Sequence, residues 1–141
     1  MRLHRSGEDY LEAMLVLQQK NGFVRSLDVA EYLNVTKPSV SNATRLLKEG
    51  GFLTMDEDKL IHLTELGQEV AETIYERHCV LTDGLIFLGV DPEIAEQDAC
   101  RIEHDLSRQS FEKLKSCWER FISGKNGEAF DIHSSLATES E

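Results

Sequence analysis

The stretch from residue 26 to residue 64 constrains the fold of this chain more than any other part of it. Two segments in this stretch, residues 27–33 and a segment that begins near Lys37, place apolar side chains at helical spacing. Only the tight connection of residues 34–36 separates them. The sequence therefore predicts two short helices joined by a tight turn.

Residues at the ends of these segments fit helix termini. Ser26 is suited to cap the first helix, and Pro38 fits the first turn of the second because its φ is already helical. Gly50 and Gly51 end the second helix. The side chains of the second helix that we expect to face the core are Val40, Ala43, Leu46 and Leu47.

Two β-prone runs follow, at residues 52–55 and 60–64, on either side of a charged turn at residues 56–59. They predict a β-hairpin. Two helices joined by a tight turn and followed by a hairpin are typical of a winged helix-turn-helix, whose second helix enters the ~12 Å wide major groove of DNA. Because the hairpin tip is acidic, we expect only Lys59 of the wing to reach phosphate.

The outward face of the second helix carries groups that suit DNA. Hydroxyl and amide groups can hydrogen-bond to base edges, and cations can displace counterions from phosphates. The residues that we expect to contact DNA are Lys37, Ser39, Ser41, Asn42, Arg45 and Lys48, with Thr44 on the same face. The alternative is a small helical core with a solvated polar face.

The net charge of −11 does not exclude DNA, because the charge is unevenly distributed. Residues 1–63 carry 8 Lys or Arg against 9 Asp or Glu, whereas residues 64–141 carry 7 against 17. Residues 36–48 hold three cations and no acid. This asymmetry indicates two roles in two regions.

Other broad classes of protein are disfavoured. No run approaches the ~18–20 apolar residues of a membrane-spanning helix, and no signal peptide opens the chain, so we expect a cytoplasmic protein without a membrane partner. Three widely spaced cysteines argue against a disulfide scaffold, and we assign Cys79 and Cys117 to packing. Without an HExxH motif, a nucleophile elbow or a phosphate-binding glycine loop, we do not expect an enzyme.

The remaining sequence predicts further helices over residues 7–20, from Thr64 to about residue 87, after an Asp91 cap, and after a Ser107 cap. Asp9 and Glu12 lie three residues apart on the first of them and so share a face. Such acids often only complement the helix dipole. His78 lies midway along the long helix, where a structural histidine is the alternative.

Cys100, Glu103 and His104 stand at positions i, i+3 and i+4 of the helix after Asp91, which also places them on one face. Together with the upstream carboxylates and His78, they offer nitrogen, oxygen and sulfur donors for a first-row divalent metal. A carboxylate-rich set favours Mn²⁺ or Fe²⁺, and a thiolate moves the preference towards Fe²⁺, Co²⁺ or Zn²⁺. Spacing alone leaves metal binding and a purely structural cluster both open.

These residues carry a resemblance to a known family. The segments that carry it are residues 8–12 (EDYLE), 39–41 (SVS), 63–67 (LTELG), 77–78 (RH) and 98–104 (DACRIEH). Over roughly residues 5–123 the chain resembles the diphtheria-toxin-repressor and manganese-transport-regulator family. Members are winged-helix repressors that dimerise through C-terminal helices and bind operators when loaded with Fe²⁺ or Mn²⁺.

The resemblance implies a set of metal ligands, namely Asp9, Glu12, His78, Cys100, Glu103 and His104, with Glu96 as an ancillary candidate. Asp9 stands where manganese-type members have Asp and iron-type members have Met. Cys100 stands where iron-type members have Cys and manganese-type members have Glu. At these two positions the chain therefore combines a manganese-type residue with an iron-type residue. Thr82 stands where the family often has Glu, with Asp83 beside it.

The resemblance also implies a mainly α fold with a small hairpin wing. We expect a winged helix-turn-helix over residues 1–70, a helical metal-binding and dimerisation domain over residues 71–123, a flexible tail over residues 124–141, and no further C-terminal domain. The implied function is a repressor that binds double-stranded operator DNA as a homodimer and controls metal-homeostasis genes. Its cofactor would be Mn²⁺ or Fe²⁺, for which Co²⁺ or Zn²⁺ can substitute.

An apolar stripe in the last helix is the candidate dimer interface, formed by Phe111, Leu114, Trp118 and Phe121. The same stripe would also suit an intrachain core. Two other functions stay open at this stage. One is a metal-independent winged-helix regulator that senses a small molecule or the oxidation of Cys100. The other, more remote, is a small metallohydrolase.

Overall fold

Apolar stripes at helical spacing produce six helices and one hairpin in residues 3–124, the part of the chain that this computed structural model describes. The elements are α1 (Arg5–Asn21), α2 (Ser26–Leu33), α3 (Lys37–Glu49), β1 (Leu53–Met55), β2 (Ile61–Leu63), α4 (Glu65–Phe87), α5 (Pro92–Ile102) and α6 (Arg108–Ser123). The chain divides into two compact units, residues 1–105 and residues 106–141. The predicted tail falls, apart from Gly124, outside the described residues.

The core of the first unit forms around α1. Leu11, Met14 and Leu15 are buried at successive turns of this helix, which packs against α2, α3, α4 and β2. Val29 of α2 and Val40 of α3 are fully buried in the same cluster. One apolar face of α1 therefore holds the helix-turn-helix in place.

The turn between α2 and α3 is tight, as predicted. Asn34 ends α2 in the left-handed conformation (φ 54°), which Asn tolerates better than most residues. Thr36 caps α3 by accepting a hydrogen bond from the Ser39 N–H at 3.3 Å. The prediction that Ser26 caps α2 is wrong, because Arg25 occupies the cap position and Ser26 is the first helical residue.

Two predictions about α3 are also wrong, and helix phase explains both. Thr44, expected on the DNA-facing surface, is buried because it lies four residues after Val40 and three before Leu47 on the core face. Leu46, expected in the core, is 50% exposed and lines an open groove beside Tyr10. A position six residues after Val40 lies on the other side of the helix.

The hairpin is antiparallel, as predicted, with Leu53 opposite Leu63 and Met55 opposite Ile61. Leu53 and Ile61 point into the core. At the tip, the Asp56 carboxylate accepts hydrogen bonds from the N–H groups of residues 58 and 60 and contacts His62 Nε2 at 2.7 Å. The acidic side chain therefore has a structural role in shaping the wing.

The long helix α4 begins where the Thr64 side chain accepts a hydrogen bond from the Gly67 N–H at 3.2 Å. Gly67 faces the backbone carbonyl of Phe52, and a Cβ at this position would collide with it. The start of α4 therefore packs closely against the backbone that follows α3.

The helix predicted after Asp91 is present as α5. Asp91 occupies the cap position without a side-chain hydrogen bond, and α5 ends at Ile102. Glu103 takes the C-cap position with helical dihedrals, and its N–H still bonds the carbonyl of Ala99 at 2.9 Å, so it keeps the predicted face with Cys100. His104 lies in the turn that follows. No helix in residues 3–124 is long and apolar enough to cross a membrane.

The described part of the second unit is α6. Ser107 caps it, as predicted, by accepting a hydrogen bond from the Ser110 N–H at 3.1 Å. The rings of Trp118 and Phe121 stack with centroids 5.9 Å apart.

Candidate metal centre

The first part of the centre lies where α4 meets α5. The Nδ1 atom of His78, on α4, lies 2.9 Å from Glu103 Oε2 and 3.7 Å from the Sγ atom of Cys100. Cys100 is exposed and Glu103 is completely buried. An imidazole, a carboxylate and a thiol therefore converge within the reach of one metal ion.

The second part lies where α1 approaches the turn after α5. His104 Nε2 lies 2.7 Å from Asp9 Oδ1 and 3.4 Å from Glu103 Oε1. The other ring nitrogen of His104, Nδ1, lies 3.1 Å from Glu8 Oε2. The His104 side chain is only 2% exposed. One buried imidazole is thus enclosed by carboxylates on both sides.

Glu103 connects the two parts, because each of its carboxylate oxygens faces a different histidine. Despite this proximity, Glu103 Oε1 and His104 Nε2 are both buried without a hydrogen-bond partner among the described residues. An unsatisfied buried polar atom costs about 1–3 kcal/mol. A divalent cation between these atoms would satisfy both, so the residues present fit a metal ion.

The pKa values of two residues in the centre are also shifted in a way that fits a metal site. Burial, followed by the adjacent Glu103 carboxylate, raises the pKa of Glu12 to about 8. Interactions with Cys100 and then Glu103 raise the pKa of His78 to about 11. For Glu12 burial is the larger cause, whereas for His78 the neighbouring acidic groups outweigh burial.

A cavity of about 290 Å³ opens beside the centre. Its walls include Asp9, Glu12, His78, Cys100 and the ancillary candidate Glu96. Glu96 belongs to neither group of converging donor atoms found in the described residues. Four of the six predicted ligands therefore line the cavity, whereas the buried Glu103 and His104 do not.

The structure brings five of the six predicted ligands into two overlapping groups, and the sixth, Glu12, lines the adjacent cavity. Sequence reasoning missed Glu8, and it missed Arg77, whose Nη1 donates to the backbone carbonyl of Glu103 at 3.1 Å. Each precedes a predicted ligand by one position. Adjacent residues point about 100° apart on a helix, so face-sharing patterns do not detect them.

The six residues predicted to contact DNA are all exposed on α3, whereas Thr44 is buried. Arg45 donates to Asn42 Oδ1 at 2.9 Å and to Glu49 Oε1 at 3.1 Å. Arg45 and Asn42 therefore hold each other in position while both remain accessible to solvent.

The residues predicted for the dimer stripe differ in exposure. Phe111 is buried, Leu114 is 47% exposed, and Trp118 and Phe121 are half-buried. The stripe is thus only partly covered in the single chain.

Comparison with known proteins identifies the family. Residues 2–60 match the N-terminal DNA-binding domain of iron-dependent repressors, and residues 64–123 match their metal-binding and dimerisation domain. An uncharacterised HTH-type transcriptional regulator of Methanocaldococcus jannaschii is 34% identical over 84% of this chain and 97% of its own length. The transcriptional regulator MntR of Salmonella typhimurium is 34% identical over 74% of this chain and 67% of its own.

Among solved structures, the manganese regulator SloR superposes on 84% of this chain with a TM-score of 0.72 and 24% identity. The chain spans about half of that protein, 55% of its length, and the likeness supports the fold. Both sequence relatives are named as transcriptional regulators. Because both domain models match in order, the chain belongs to the iron-dependent repressor family of metal-dependent, DNA-binding transcriptional regulators.

Proposed function

We propose that this chain is a repressor that binds double-stranded operator DNA as a homodimer when it is loaded with Mn²⁺ or Fe²⁺, and that it controls metal-homeostasis genes in the cytoplasm. The single observation that carries the proposal is the buried Glu103 carboxylate, which faces His78 on one side and His104 on the other. The proposal includes a DNA-binding domain over residues 1–70 and a metal-binding and dimerisation domain over residues 71–123.

The proposed ligands are Asp9, Glu12, His78, Cys100, Glu103 and His104. Oxygen and imidazole donors outnumber the single thiolate, and such a set suits Mn²⁺ or Fe²⁺. The exposed thiol of Cys100 is the softest donor and would favour Fe²⁺, Co²⁺ or Zn²⁺ over Mn²⁺. The two donor groups share Glu103, so one ion or two ions bound here would both use the same carboxylate.

The connection to DNA runs through α1. Its polar face presents Asp9 and Glu12 to the centre, while Leu11 and Met14 on its apolar face lie in the core shared with α2 and α3. A bound ion supplies the positive charge that offsets the clustered carboxylates. The ligands of α1 are then held against those of α4 and the turn after α5, which limits the positions that the helix-turn-helix can take.

Coupling of this kind is reciprocal and is typically worth about 1–3 kcal/mol. Operator DNA should therefore tighten metal binding by the same factor by which metal tightens DNA binding. Operator half-sites would lie ~34–36 Å apart or a multiple of that spacing, so a small change in the position of α3 matters.

The DNA contacts are proposed for Lys37, Ser39, Ser41, Asn42, Arg45 and Lys48, all of which are exposed. The proposed dimer interface is the α6 stripe, whose Leu114 is the most exposed member.

The test is fluorescence anisotropy of labelled DNA from the upstream region of the chain's own gene, measured anaerobically at fixed salt. Chelator, Mn²⁺, Fe²⁺, Co²⁺ and Zn²⁺ are compared at matched free-metal concentrations. We expect tight binding only with metal. The double substitution Glu103→Ala/His104→Ala should abolish the metal effect, whereas Glu93→Ala, which removes an exposed acid of α5, should retain it.

Equal binding with chelator and with metal would overturn metal activation. A metal-independent regulator would then remain, and binding after reversible oxidation of the exposed Cys100 would be measured next.

A further inference from the structure

The imidazole of His104 lies between two consecutive carboxylates of α1, and the two carboxylates contact it differently. Glu8 Oε2 lies 3.1 Å from Nδ1 with hydrogen-bond geometry. Asp9 Oδ1 lies 2.7 Å from Nε2, yet Nε2 has no hydrogen-bond partner among the described residues. The hydrogen-bonded proton therefore belongs on Nδ1, between His104 and Glu8.

From this geometry we propose that Glu8 is a positioning residue for the metal centre. Its carboxylate accepts the Nδ1–H hydrogen bond and fixes the ring, so the Nε2 lone pair is left facing Asp9 and Glu103. A histidine that binds a metal through one nitrogen commonly donates its other N–H to a carboxylate, which orients the ring and raises its basicity. This inference rests on the proposed metal function of His104.

An acid in the first turn of a helix could instead serve only the helix dipole. Glu8 does occupy the first turn of α1. A dipole role does not require a partner, whereas the Glu8 carboxylate contacts a nearly buried imidazole 96 residues away in the sequence. The contact joins α1 to the turn after α5 through Glu8, which is not itself a proposed ligand.

The proposal is tested by metal affinity, measured by competition of Mn²⁺ and Co²⁺ with a chromophoric chelator. Glu8→Ala should weaken binding by about 10–100-fold, as loss of an outer-shell partner commonly does. Glu8→Gln retains an oxygen acceptor for Nδ1–H and should restore a large part of the affinity. Glu65→Ala and Glu65→Gln, which change an exposed first-turn acid of α4, should leave the affinity unchanged within about twofold.

Two further readouts separate positioning from a structural role. The ligand-field absorption of the Co²⁺-loaded protein should change in Glu8→Ala, because the orientation of one nitrogen donor changes. In a His104→Ala background, Glu8→Ala should have no further effect on metal affinity, because the ring that it positions is gone.

Each outcome decides the proposal. If His104→Ala weakens metal binding and Glu8→Ala matches its Glu65 control, the positioning role of Glu8 is wrong while the metal centre stands. An equal loss from Glu8→Ala with and without His104 also overturns it. If His104→Ala leaves metal affinity unchanged, the assignment of His104 fails, and the inference fails with it.

Discussion

Glu103 Oε2 lies 2.9 Å from His78 Nδ1, so a completely buried carboxylate joins the turn after α5 to the middle of α4. A buried carboxylate without partners is unfavourable, and Oε1 of Glu103 has no hydrogen-bond partner among the described residues. The other oxygen faces His104. The centre is therefore arranged around a group that the chain by itself leaves incompletely paired.

Substitution of Glu103 should remove the stabilisation that metal provides. Free metal at 100 times its Kd stabilises a protein by about 2.7 kcal/mol, so wild-type protein should melt at a higher temperature with Mn²⁺ than with chelator. Glu103→Ala should abolish this difference because both histidines lose their shared carboxylate. Thermal denaturation monitored by circular dichroism measures it, and Glu93→Ala serves as the control. A metal-induced rise in Tm that persists in Glu103→Ala would exclude Glu103 as a central ligand.

Metal affinity should rise with pH between 6 and 8. Ligands must lose their protons to bind, and the pKa values of Glu12 and His78 are raised to about 8 and about 11. Each proton released on binding raises the affinity up to about tenfold per pH unit. Isothermal titration calorimetry in buffers of different ionisation enthalpy counts these protons. Binding without proton release at pH 7 would contradict the raised pKa values.

The metal-free protein should show the opposite dependence. The folded-state pKa of Glu12 is raised from 4.5, so its contribution to stability falls as pH rises from 4.5 through about 8. The contribution of His78 is fully present below its unfolded value of 6.5 and is lost as pH rises through about 11. The apo protein should therefore be less stable at pH 8 than at pH 6, as urea denaturation with chelator present would measure.

The helices and hairpin were predictable from sequence because apolar spacing, capping residues and glycines are local signals. The chemical types of the donor groups in the centre were predictable from the sequence, but their positions relative to one another were predictable only in part. Helical spacing placed Cys100, Glu103 and His104 on one face, and Glu103 keeps that face as the C-cap residue of α5. Spacing did not show that His104 lies in the following turn, with its ring against Asp9. Likewise, Thr44 is buried and Leu46 is exposed because of the way α3 is rotated about its own axis. Tertiary packing sets this rotation, and the local sequence does not reveal it.

Two glycines of α4 should respond oppositely to the same substitution. Gly67→Ala places a Cβ against the backbone of Phe52, which cannot move without disturbing the hairpin, so it should cost about 1–3 kcal/mol or more. Gly84→Ala meets no atom within 4 Å and should stabilise the helix by about 0.5–1 kcal/mol. Urea denaturation of both variants with chelator present measures the difference. Similar free energies of unfolding for the two would contradict the close approach of α4 to Phe52.

A phosphate-contacting role for Lys48 makes a salt-dependence prediction. Lys48→Ala should weaken binding to operator and to unrelated DNA by similar factors and reduce the slope of log K against log salt by about 1. Lys113→Ala, which removes an exposed cation of α6, should leave that slope unchanged. Anisotropy titrations over a range of salt concentrations, with metal held constant, provide the slopes. An unchanged slope in Lys48→Ala would place this side chain away from the phosphates.

Cys100→Glu should move the metal preference towards Mn²⁺. The thiol is the one soft donor in the proposed set, and its Sγ atom lies 3.7 Å from His78 Nδ1, so a carboxylate at this position would face the same ring. Replacing a thiolate with a carboxylate favours harder ions. The ratio of Mn²⁺ to Co²⁺ affinity, from chelator competition, should therefore rise, while Cys117→Ser, on α6, should not change it. The ratio reports on Cys100 directly, because a general loss of stability would lower both affinities together. An unchanged ratio in Cys100→Glu would remove Cys100 from the ligand set.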